Sequence, residues 1–150
     1  MTRRVLLSFV LLTAAALLFW PITSSISAAD EVDVIVNKAN TISDLPLPDA
    51  RKIFLGEKTT WPSGKRVSIL MLAQGQPERA VILREIYKMS EADYSKYFLQ
   101  AAFAGKVSAP PKDVPSAAQV KQVVAENPGA IGYVKKEDVD DSVKVVLKFP

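Results

Sequence analysis

Asn127-Pro128-Gly129-Ala130-Ile131-Gly132-Tyr133-Val134 decides how this chain folds. A residue before proline avoids the helical region, so Asn127 ends whatever helix precedes it. The five residues that follow Gly129 are mostly apolar and too short for a helix, and they read as a strand. Upstream, Ser116-Ala117-Ala118-Gln119 has the form of a capping box, and Val120, Val123 and Val124 follow on one helical face. A capped helix delivered by a tight turn into a buried strand is a unit of layered α/β architecture.

Working outward, Val32-Asp33-Val34-Ile35-Val36-Asn37 is short and β-branched, and reads as a strand. Pro46 and Pro48 precede a short helical pattern in which Ala50, Ile53 and Phe54 share a face, with Gly56 placed to end it. Trp61-Pro62-Ser63-Gly64 is a turn. Val67 to Leu72 is apolar on both sides, which suits a strand covered on both faces. After the loop Ala73-Gln74-Gly75-Gln76, Pro77 fits a first helical turn, and the helix runs to about Lys88 with Ile82/Ile86 and Leu83/Tyr87 as same-face pairs. Ser90 with Asp93 makes a weaker capping box. Behind it Tyr94, Tyr97, Phe98, Ala101 and Ala102 form a stripe that Gly105 breaks. Lys106 to Pro115 reads as a loop carrying three prolines. Ser142 to Phe149 reads as a last strand with Val143, Val145 and Leu147 on one side and Lys144, Val146 and Lys148 on the other. The expected order is β-α-β-α-α-α-β-β, an α/β fold with a mixed β-sheet flanked by helices.

Composition narrows the chemistry. The chain has 150 residues, 49% hydrophobic and 23% charged, with neither cysteine nor histidine. Disulfides, thiol nucleophiles, Cys/His zinc sites and every histidine-based catalytic dyad or triad are therefore excluded. A formal charge of +3 carries no nucleic-acid footprint. Glu137-Asp138-Val139-Asp140-Asp141 has no glycine for the sharp bend of a calcium loop and reads as a solvated turn. No catalytic residue, metal ligand or cofactor site is assigned, and the chain is expected not to be an enzyme.

Residues 1–29 have the form of a secretory signal. Arg3 and Arg4 precede the apolar stretch Val5 to Trp20, and Ser27-Ala28-Ala29 offers small residues for cleavage before Asp30. The rival reading is an uncleaved anchor, the single way in which a membrane enters the expectations. Residues 30–150 are expected to form one domain, exported to the periplasm.

Three stretches resemble phosphate-binding proteins of ABC transporters, which are type 2 periplasmic binding proteins. Val34-Ile35-Val36-Asn37-Lys38 resembles the strand that opens the second lobe. Asp49 through Ile53-Phe54-Leu55-Gly56 to Trp61 resembles that lobe's helix and tryptophan turn. Pro128 to Val134 matches its most recognisable string. The resemblance implies one lobe of a type 2 periplasmic-binding-protein fold, in a solute-binding-like protein with weak binding of phosphate or another small anion. It also implies departures. Leu72 stands where the family has an arginine, and Gln76-Pro77-Glu78 stands where it has Ser-Gly-Thr at a helix N-terminus. Pro77 lacks an amide donor and Glu78 adds a negative charge. The candidate ligand-binding residues are Gln74, Gly75, Gln76 and Arg79, at a strand end where open α/β sheets commonly bind ligands. The alternative is a protein–protein interaction module of the envelope that has lost its ligand. The partners expected are a small anion, an envelope protein or a second copy of the chain; a second copy would supply the wall that a single lobe lacks.

Overall fold

A computed structural model describes residues 31–107 and 109–150; the predicted signal segment lies outside the described residues. Five strands form a single mixed sheet: β1 (Val32–Asn37), β2 (Ser68–Leu72), β3 (Lys112–Val114), β4 (Ala130–Lys135) and β5 (Val143–Phe149), in the order β3-β2-β4-β1-β5. The β3-β2-β4 side is parallel, and β1 runs antiparallel to both β4 and β5. Four α-helices flank the sheet: α1 (Leu47–Phe54), α2 (Pro77–Ile82), α3 (Glu91–Phe103) and α4 (Ala117–Glu126).

Side-chain alternation along β2 separates the layers. Leu70 points with Gly132 toward α4, where a Cβ on Gly132 would lie 2.6 Å from Val120. The missing side chain is what lets α4 approach the sheet, and filling the space would cost about 1–3 kcal/mol. Met71 points the other way, toward Tyr87. Tyr87 packs edge-on against Phe54 of α1 and against Tyr94 and Phe98 of α3, with centroids 5.0–6.1 Å apart. This aromatic cluster, together with β1, β2 and β4, makes the core.

The opening motif is a clamp. Trp61 is buried, and its indole N–H donates to the Gly129 carbonyl at 2.9 Å. That carbonyl also accepts the Ser68 amide, while Asn127 Oδ1 accepts the Gly129 amide at 2.9 Å. A Cβ on Gly129 would meet the Arg66 carbonyl at 2.1 Å. Glycine is therefore required by close backbone approach, and Trp61 packs on its own domain.

Four expectations need correction. The segment Lys106–Pro115 is not all loop, because Lys112–Val114 pairs in parallel with β2. α2 does not stay α-helical to Lys88: Leu83–Tyr87 is a π-helical turn that ends on left-handed Lys88 (φ 55°). The wider turn still puts Leu83, Ile86 and Tyr87 in the core. The α3 stripe is narrower than expected, with Tyr94, Phe98 and Ala101 buried and Ala102 exposed. In β5, Val34 pairs with Leu147 but Ile35 with Val145, so Val146 is the extra residue of a bulge. The bulge resets the alternation, and Val143, Val146 and Phe149 are the buried side chains.

Candidate functional site

The predicted site lies at the carboxyl ends of β2 and β3. Pairings of Val32 with both Lys135 and Phe149 put the start of β1 and the end of β5 at this same edge. The loop after β2 turns on Gly75 (φ 88°), a left-handed conformation that favours glycine, and α2 begins at Pro77. Gln74, Gly75 and Gln76 are exposed. The fourth candidate, Arg79, is not with them: it is 2% exposed and lies under the loop.

Each of Arg79's three side-chain nitrogens donates to a partner. Nε and Nη2 make a bidentate pair with Glu91, the latter at 2.6 Å; Nη1 donates to Asp113 at 2.9 Å and to the Leu72 carbonyl at 2.6 Å. The guanidinium carbon sits 5.0 Å from the Tyr94 ring centroid. Burial opposes the charge, but the hydrogen-bonded carboxylates of Glu91 and Asp113 outweigh it and lift the Arg79 pKa further above its ordinary value. Burial also pushes the Tyr94 phenol up to about 12, against the pull of Arg79.

Leu72, the last residue of β2, is bonded by side chains on both backbone groups. Its carbonyl takes Arg79, and its amide donates to the Tyr133 hydroxyl at 2.9 Å. Direct β2–β4 pairing is recorded from Ser68 to Ile69, so Tyr133 extends that connection toward the strand end. Glu78 is buried as well. One oxygen lies 3.9 Å from the Lys135 ammonium and the other has no hydrogen-bond partner. Glu78, Glu91 and Asp113 thus place three carboxylates beside Arg79 and Lys135.

The loop lies between β2 and α2 as the sequence reading has it, whereas Glu91, Asp113 and Tyr133, which surround Arg79 and Leu72, are not among the sequence candidates. A paired arginine is visible only when its partners are, and these acids stand 12 and 34 residues away. Among the described residues, no three acidic side chains gather in a way that could hold a metal ion. Asp140, in the acidic run, instead pairs with Lys121 at 2.8 Å and accepts the Ser142 amide.

No family model matches the sequence. Solved structures do match the fold. An ABC-type phosphate transport receptor from Vibrio cholerae aligns with a TM-score of 0.64 at 20% identity, over 78% of this chain and 45% of that one. A phosphate ABC transporter substrate-binding protein with bound phosphate from Clostridium perfringens gives 0.62 at 21% identity, over 79% and 45%. PstS from Borrelia burgdorferi gives 0.59 at 13% identity, over 78% and 46%. The chain therefore spans less than half the length of each of these proteins, and its fold is that of one part of a phosphate-transport substrate-binding protein.

Proposed function

We propose that this chain is an exported, non-enzymatic, single-lobe relative of phosphate-binding proteins that has kept the fold and given up phosphate capture at the strand-end loop. It acts in the periplasm through an envelope protein partner. The observation that carries this reading is Arg79. This buried cation beneath the loop is committed to Glu91, Asp113 and the Leu72 carbonyl, so an arriving phosphate would have to break an existing network to reach it. Pro77 offers no amide, and the Glu78 carboxylate occupies the first turn of α2. The absence of cysteine and histidine and the likeness to binding proteins support a non-enzymatic role.

A second reading, weak anion binding by the loop itself, draws on the exposure of Gln74, Gly75 and Gln76 beside an open groove of about 370 Å³. A second copy of the chain would close it. Amide resonances decide between the two. Under millimolar phosphate, Gln74 to Arg79 should stay in place. A saturable movement confined to those residues would replace the first reading with the second.

A further inference from the structure

At the opposite edge of the sheet, where β2 and β4 begin, a groove of about 540 Å³ is lined by Lys65, Arg66, Ser68, Lys112 and Asn127, together with apolar and backbone atoms. The three cations come from two segments: Lys65 and Arg66 between the tryptophan turn and β2, and Lys112 in β3. Among the described residues, no acidic side chain lines the groove. Among the described residues, none of the three cations takes part in an ion pair, whereas Arg79, Arg84, Lys121 and Lys136 all do. Uncompensated like charges around one concavity repel one another and raise the local concentration of anions.

The walls are built to hold their shape. Gly129 is fixed by Trp61, Ser68 and Asn127, and its close approach to the Arg66 backbone locks the segment that carries Lys65 and Arg66. β2 fixes Lys112 opposite Leu70. Arginine supplies a planar fork and the lysines supply point charges, a combination that suits phosphoryl oxygens. Ser68 and Asn127 add neutral polar groups on the same wall.

We propose that this groove binds a multivalent phosphate-type oxoanion, one carrying adjacent phosphoryl groups, and that it does so independently of the strand-end loop. Its volume exceeds what a single orthophosphate fills, and three cations match more charge than one phosphate carries. Closely related chemistry is offered by soluble pyrophosphate and by a lipid headgroup carrying two phosphodiesters joined through glycerol.

The test uses the chain with residues 30–150 present and isotope-labelled. It is titrated with inorganic pyrophosphate and, separately, with phosphatidylcholine vesicles containing cardiolipin. Expected is a saturable shift of the Lys65 to Ser68 and Lys112 amides with at least one probe. Lys112→Glu should weaken binding about tenfold or more, and Gln76→Ala should leave it unchanged. Pyrophosphate alone as the active probe assigns a soluble ligand, cardiolipin alone assigns a headgroup, and either result supports the site. These three cations are exposed, so the variants should melt with the parent; Arg66→Ala gives a second, milder test. Absence of saturable shifts with both probes, or shifts that survive Lys112→Glu and Arg66→Ala, would overturn the proposal without touching the reading of the strand-end loop.

Discussion

Replacing Arg79 by methionine keeps a long apolar stem and removes the guanidinium. The cost can be assembled from its contacts. The Leu72 carbonyl loses its side-chain donor, and a buried acceptor left unsatisfied costs about 1–3 kcal/mol. Glu91 and Asp113 are 37% and 62% exposed, so both carboxylates can rehydrate. The 3–5 kcal/mol typical of stripping a fully buried pair is then an upper limit, and each exposed partner contributes about 0–1 kcal/mol. Loss of the cation over Tyr94 adds about 0.5–1 kcal/mol. Arg79→Met should therefore destabilise the domain by about 2–4 kcal/mol. Urea unfolding measures this as a shift in midpoint at constant slope. Asp113→Asn should cost about 1 kcal/mol or less, and Glu91→Gln should cost more than that but less than Arg79→Met, because it takes the bidentate charge partner from a buried guanidinium while leaving an amide oxygen to accept from it. Arg79→Lys should also fall between these limits, since a point charge cannot reproduce the fork. If Arg79→Met costs under about 1 kcal/mol, or no more than either acid, the arginine is not committed to the fold and the reasoning fails.

Other outcomes follow from single contacts. Tyr133→Phe removes the acceptor for the buried Leu72 amide and should cost about 1–3 kcal/mol by the same unfolding assay. Gly129→Ala drives a methyl into the Arg66 carbonyl and should abolish cooperative unfolding or lower the melting temperature more than Gly132→Ala, whose neighbour is a movable valine side chain. Asp33 on β1 is 4% exposed, and burial raises its pKa against the pull of Lys148 and Lys136. Its charged form is thus disfavoured in the folded state, and stability is lost as pH rises through the folded pKa. Asp33→Asn should raise the melting temperature at neutral pH, and the gain should vanish below the ordinary carboxyl value of 3.8.

Local pattern made much of this fold readable. β1, β2 and β4 are apolar runs with no rival helical reading, and Ser116 accepts the Gln119 amide as the capping box implies. What escaped depends on distant partners. Lys112-Asp113-Val114 has two charges and follows two prolines, so only β2 makes it a strand. The β5 bulge is silent because valines at 143, 145 and 146 satisfy either phase. Ile82/Ile86 and Leu83/Tyr87 are spaced alike in an α-helix and in the π-helical turn that replaces its end. Exposure of Gln74 to Gln76 follows from their polarity, but the direction of Arg79 depends on acids in α3 and β3. Glu78, which the sequence shows only as an added negative charge in the first turn of α2, lies buried near Lys135.

The most direct test of the account is a crystal structure of residues 30–150 grown in phosphate. The account predicts Arg79 on Glu91 and Asp113, with no phosphate on the amides of Gln74 to Gln76. Phosphate seated on those amides, with Arg79 drawn away from its acids toward it, would contradict the central claim.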